Sequence, residues 1–222
     1  MIKKILGFLK YTNIYNGEKS SENVDGFVKT YRLILKDVLV IVIVGGILFS
    51  VSGVWPPMVA IESDSMDPNL NKGDLIFLVE ENRYGGIETR EDVSNRYKNG
   101  VGMERYQEGL KFGEYGDVIV FRPESQNQRE EYLVIHRAEM WVNEDEDWYD
   151  RANPSWVIGK NCDMMENCPA PHSGYITKGD GNVKYDQVAE ISEPVQIEWI
   201  HGNAKIRIPW LGYVKLFVNN LI

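Results

Sequence analysis

Read as a pattern of apolar and polar positions, the chain has one long uncharged run followed by a series of short apolar stretches. From Val38 to Ile61 no side chain carries a charge. Its centre, Val38 to Trp55, would span about 27 Å as a helix at about 1.5 Å per residue, against a hydrocarbon thickness of about 30 Å. The pattern predicts a membrane-spanning helix over residues 37–56, with Trp55 at the interface and Pro56 and Pro57 ending it. A cleavable leader is the competing reading, since Ser50 and Ser52 are small residues at suitable spacing. The segment ahead of the run is longer than such leaders tolerate, which favours an uncleaved anchor.

Behind the anchor the period shortens. Met58–Glu62, Leu75–Val79, Asp117–Phe121, Tyr132–Val142, Gly174–Thr177 and Val195–Ile200 are rich in Val, Ile and aromatics and bounded by Gly, Pro, Asn or Asp. That is the signature of short strands, and it predicts a mainly β fold with an antiparallel domain over residues 57–206. Two excursions interrupt it. Residues 80–115 are charged, with room for one amphipathic helix at Thr89–Lys98, and residues 143–173 combine the acidic run Glu144–Asp147 with Pro-rich turns. Residues 207–222 form an apolar membrane-proximal segment too short to cross a bilayer alone; it either docks along the membrane or starts a second span.

Charge orients this layout. Within residues 1–36, Lys3, Lys4, Lys10, Lys19, Lys29, Arg32 and Lys36 outnumber the acids, which places that segment in the cytoplasm and the β domain outside it. Within it, Ile5–Tyr11 has an apolar face that either lies on the membrane or frays. The overall net charge of -9 argues against nucleic acid as a partner. The only cysteines, Cys162 and Cys168, share one loop. A disulfide is permitted if that loop is extracytoplasmic; a zinc site with His172 lacks a fourth ligand, so no metal and no organic cofactor is expected.

Candidate chemistry starts at Ile61–Asp74, which reads I-E-S-D-S-M-D-P-N-L-N-K-G-D. An extended segment ending at Pro68 would turn Ser63 and Ser65 to one face, offering a nucleophile and a hydroxyl donor for an oxyanion. A hydroxyl needs a base, and His136, His172 and His201 are the chain's only residues of the type that titrates near neutrality. His136 sits in L-V-I-H-R on a predicted strand, whereas His172 and His201 lie in loop-like surroundings and read as surface residues. An imidazole acting as base needs a carboxylate to hold its tautomer, for which Asp180 of K-G-D-G-N and Asp186 of K-Y-D are the candidates. All of these residues also have ordinary readings as turn or core positions.

Taken together and in order, S-D-S-M-D-P, V-I-V-F-R-P at Val118–Pro123, V-I-H-R at Val134–Arg137, T-K-G-D-G-N at Thr177–Asn182 and R-I-P-W-L-G-Y at Arg207–Tyr213 resemble the type I signal peptidases. The likeness is to the archaeal and endoplasmic-reticulum form, in which a His stands where bacterial enzymes have Lys. It covers roughly Leu35 to Tyr213. Asp64 departs from the commoner Gly between the two serines.

The resemblance implies a partly open β barrel behind one anchor helix, and a serine endopeptidase that removes signal peptides from exported preproteins after small residues. It implies Ser65 as nucleophile, His136 as base and Asp186, six residues beyond Asp180, as the orienting carboxylate, with Asp180 structural or secondary. Ser63 and the Ser65 N–H would receive the oxyanion, and Met58, Val59, Ala60, Ile61 and Met66 would wall the substrate site, with Val118–Val120 as a further candidate wall. Implied partners are signal peptides, membrane lipid and the protein-export machinery. Two rival functions remain at this level: a tethered peptide-binding module without chemistry, and a processing peptidase dedicated to one surface-protein precursor.

Overall fold

The computed structural model describes residues 29–99, 110–125, 128–129 and 132–219. Most of the expected cytoplasmic segment and residues 100–109 of the first excursion lie outside the described residues. The chain divides into two units, residues 1–50 and 51–222.

The first unit holds nearly all of α1 (Lys29–Ser52), a helix of 24 residues that is long and apolar enough to cross a membrane. It begins well before the expected residue 37 and stops before the expected 56. Gly53, with φ of 82°, ends it: the left-handed conformation suits glycine and cannot continue a helix. Trp55, Pro56 and Pro57 therefore follow the helix instead of closing it, and Trp55 is exposed.

The second unit is built on a six-stranded antiparallel sheet. Its strands are β1 (Met58–Ala60), β2 (Leu75–Val79), β5 (Val118–Phe121), β8 (Val134–Val142), β9 (Gly174–Lys178) and β10 (Ile200–Ile208), in the order β1-β2-β10-β5-β8-β9. Two short hairpins, β3 (Leu110–Lys111) with β4 (Glu114–Tyr115) and β6 (Glu124–Ser125) with β7 (Gln128–Arg129), stand apart from it. In β5 the unbroken apolar run V-I-V-F follows from burial on both faces. Val118 and Val120 enter one core with Val59, Ile61, Ile76, Leu78 and Ala204, while Ile119 and Phe121 enter a second with Val134, Val195 and Trp199. Leu133 and Ile135 pack on the first core together with residues of β1, so strands far apart in the sheet order share one interior. The sheet is rolled.

Two expectations need correcting. The expected strand Val195–Ile200 is a single bridge, Tyr175 to Val195, followed by a 3-10 turn at Ile197–Trp199. The real strand is β10, which sits between β2 and β5, contains His201 and runs two residues past the expected boundary at 206. A strand was hidden there because H-G-N-A-K-I-R-I alternates weakly and carries two cations. Arg207, assigned by sequence to an apolar tail, ties β10 to the Ser65 loop: its guanidinium donates to the Asn69 carbonyl and the Asn71 side chain (both 2.9 Å) and pairs with Asp74 (2.7 Å).

The first excursion contains α2 (Arg90–Lys98), capped by Thr89, whose side chain accepts from the Asp92 N–H while Asp92 accepts from the Thr89 N–H. The second folds as a lobe with its own apolar core of Trp148, Ala152, Met165 and Ala170 against Met140, Val142 and Ile176 of the sheet. Cys162 and Cys168 are joined by a disulfide, and His172 instead meets Glu193 (3.1 Å), so no zinc set forms from these three. The chain closes, among the described residues, with α3 (Gly212–Asn219), where Val214 and Phe217 are exposed near the exposed Ile206, Ile208 and Trp210 in sequence.

Candidate active site

Ser65 sits where β1 has already ended. The strand stops at Ala60, and residues 65–69 form a turn in which Leu70 and Asn69 donate their N–H groups to the Met66 carbonyl (3.0 Å each). The two serine hydroxyls still meet, 3.2 Å apart, but through turn geometry and not strand alternation. Met66 and Leu70 anchor this turn from below, both buried in the first core. The Ser65 carbonyl accepts from the Gly181 N–H (2.9 Å), which ties the turn to the loop after β9.

His136 lies on β8, opposite Ile119 of β5, and is 4 % exposed. Its Nδ1 stands 2.6 Å from Asp186 Oδ2. Asp186 is wholly buried, and the same Oδ2 accepts from the Thr177 hydroxyl at 2.6 Å, while the Asp186 N–H donates to the Thr177 carbonyl (2.9 Å). Gln187 locks Thr177 in turn, its Oε1 accepting from the Thr177 N–H (3.0 Å). The other ring nitrogen, Nε2, points toward the serine turn: it and the Ser65 carbonyl oxygen both lie within 2.8 Å of the point where a Cβ on Gly179 would sit. Only glycine leaves room there. The Ser65 hydroxyl has Ser63, and not the imidazole, as its hydrogen-bond partner among the described residues.

Asp180 does different work. Its two oxygens accept from Arg137 Nε (2.8 Å) and Nη2 (2.6 Å), and Oδ2 also accepts from Asn69 Nδ2 (2.9 Å). Arg137 is fully buried, and its Nη1 donates to the carbonyls of Lys111, Glu114 and Gly116. Of the two carboxylates, Asp186 therefore meets the imidazole, and Asp180 fastens the serine turn and the β9 loop to a buried guanidinium.

A cleft of about 720 Å³ opens over these groups. Val59, Ala60, Ile61 and Met66 line one side, Tyr132, Leu133, Val134 and Ile135 the other, with Ser63, Ser65, His136 and Asn182 between. Met58, expected as a wall, is not among the lining residues: it starts β1, at the end away from Ser63. Val118–Val120 are not there either, being entirely inside the cores. β1 is an edge strand of the sheet, which suits pairing with an extended peptide.

Sequence reasoning missed Thr177, Gly179 and the 132–135 wall. Thr177 and Gly179 flank the lysine of T-K-G-D-G-N, and a strand running into a glycine turn was their only signal. Fold and site thus define a class, an antiparallel β domain in which a serine, an imidazole and a carboxylate converge beside an apolar cleft. The chain matches no protein-family model and no curated protein.

Proposed function

We propose that the protein is a membrane-anchored serine endopeptidase that cleaves signal peptides from exported preproteins after small residues. The observation that carries the reading is the His136 Nδ1 contact with the buried Asp186 carboxylate, with Nε2 turned toward the Ser65 turn at the edge of an apolar cleft. The order of motifs resembling the His-type signal peptidases supports the same reading from the sequence.

In this mechanism a peptide adds to the edge of β1 and lays its side chains into the cleft between residues 59–66 and 132–136. Rotation of Ser65 about χ1 exchanges its Ser63 partner for His136 Nε2. Oγ attacks the peptide carbonyl carbon as the imidazole takes its proton, and the negative carbonyl oxygen is received by the Ser63 hydroxyl and the Ser65 N–H. That N–H makes no hydrogen bond among the described residues. The imidazolium, held by Asp186, then protonates the leaving amine, and water attacks the acyl ester with Nε2 as base. The imidazole acts as base only in its neutral form.

The apolar helix α1 ends thirteen residues before Ser65 and would serve as the anchor, with the N-terminus cytoplasmic. The exposed Trp210, Val214 and Phe217 suit a lipid-facing surface. Preproteins incubated with purified full-length protein in detergent should be cut, and Ser65→Ala and His136→Ala should each reduce cleavage by at least about a thousandfold while still folding. Retained cleavage in either variant overturns the assignment. The Ser63–Ser65 hydroxyl pair favours the second reading, a peptide-binding module without chemistry. Binding of signal peptides with no covalent labelling of Ser65 by a serine-directed phosphonate would select it.

A further inference from the structure

The lobe between β8 and β9 grips both chain neighbours of Asp186. On one side Tyr185, 2 % exposed, stands edge-on to Trp148 (5.8 Å between centroids) and Trp156 (5.4 Å). Its hydroxyl accepts from the Asn153 N–H (3.1 Å), and its own N–H donates to the Trp156 carbonyl (3.3 Å). On the other side Asn167 Nδ2 donates to the Gln187 carbonyl (3.0 Å). The Asn167 carbonyl in turn accepts from Trp148 Nε1 (2.8 Å), so one residue serves both grips.

Asn167 stands inside the ring closed by Cys162 and Cys168, at φ of 56°. Asparagine is among the residues that tolerate this left-handed conformation best, which suits it to a turn inside a closed ring. The Asp186 carboxylate depends on this frame, because Oδ2 alone makes hydrogen bonds and the buried Oδ1 has no partner among the described residues.

Resting on the peptidase reading, we propose that the disulfide-closed lobe is the holder of Asp186: Tyr185 and Asn167 are positioning residues, and reduction of Cys162–Cys168 lowers turnover. The step is thiol–disulfide exchange with a dithiol. The dithiol gives two electrons and becomes a cyclic disulfide, the Cys162–Cys168 bond breaks, and the two released protons end on the cysteine sulfurs. Loss of the ring frees Asn167, and with it the Gln187 carbonyl and the indole of Trp148. The domain is then fully competent only on an oxidising side of the membrane, and a copy still facing a reducing compartment is held back.

The test uses full-length protein in detergent micelles and a fluorogenic peptide that spans a preprotein cleavage junction. On treatment with dithiothreitol, kcat should fall about tenfold with KM within about twofold, since the cleft walls lie outside the lobe. Reoxidation should restore kcat. A Cys162→Ser, Cys168→Ser double variant should show the same loss and ignore the dithiol.

Asn167→Gly keeps a residue suited to φ of 56° while deleting the Gln187 contact, and should lower kcat in the same direction. It decides the matter if the double variant does not fold. Unchanged kcat in the reduced protein and in Asn167→Gly would overturn the proposal. An activity-independent readout separates this from failure of the peptidase reading: the downfield proton resonance of His136 Nδ1–H should shift or vanish on reduction. Oxidised protein that cuts nothing and takes no phosphonate at Ser65 sinks the peptidase reading. A resonance indifferent to the dithiol sinks the lobe.

Discussion

Gly179 sits where the Ser65 turn and the His136 ring come close. A methyl group there would meet the Ser65 carbonyl oxygen at 2.5 Å and His136 Nε2 at 2.8 Å, inside ordinary contact distance for both. Neither neighbour yields easily, one being backbone and the other held by Asp186. Gly179→Ala should therefore lower kcat/KM by about a hundredfold or more through misplacement of the imidazole, with a near-native unfolding midpoint, as parallel cleavage and urea titrations would reveal. Asp180 should show the reverse balance. Asp180→Asn leaves the buried Arg137 guanidinium without its charge partner and loosens Asn69, a loss of about 3–5 kcal/mol in unfolding free energy. Reduced activity in that variant should follow the folded fraction. An Asp180→Asn protein of normal stability that cleaves nothing would instead give Asp180 a direct chemical role.

Among the elements, those whose residues carry their own reason were readable in advance. β2 matches its expected bounds, β8 and β9 come within two residues, and α2 starts where Thr89 and Asp92 can cap it. Ser65, His136 and Asp186 could be nominated from residue chemistry and motif order, because hydroxyl, imidazole and carboxylate are needed together. Two kinds of information were not legible. β10 lies in the middle of the sheet yet carries Lys205 and Arg207, whose charges are met by Asp117 and Asp74 from distant parts of the chain, so no local pattern announces a central strand. The division of labour between Asp180 and Asp186, implied by the family resemblance but left open by residue chemistry, depends likewise on Arg137 and His136, adjacent on β8 but with different partners. The helix boundary at Gly53 was overlooked because the prolines at 56 and 57 are louder breakers, although glycine acts first along the chain.

The second unit as a whole carries a buried charge cluster that gives its stability a pH dependence. Glu139 of β8 pairs with Arg90 Nε (2.8 Å) from α2; Arg90 also reaches Glu114 of β4 (3.1 Å), and Lys178 of β9 lies over the Trp156 ring of the lobe (4.6 Å). Burial outweighs the pull of Arg90, Arg137 and Lys178 and pushes the Glu139 carboxyl up to about 7 from its ordinary 4.5. A carboxyl raised on folding contributes stability that is fully present below 4.5 and is lost as pH rises through about 7. His201, lowered by its own burial, has the opposite slope, so the comparison must be between proteins and not between pH values alone. The urea midpoint of the wild type, measured relative to that of Glu139→Gln, should therefore fall from pH 4.5 to pH 8; a constant difference would remove Glu139 as the cause.

β10 reaches further than the sheet. In the sheet order, β10 is the strand that stands between β1 and β2 on one flank and β5, β8 and β9 on the other, and its Arg207 also braces the turn that bears Ser65. A growing polypeptide that has already emitted Ser65, His136 and Asp186 still lacks the strand that lies between β2 and β5. Closure of the sheet therefore waits for residues 200–208.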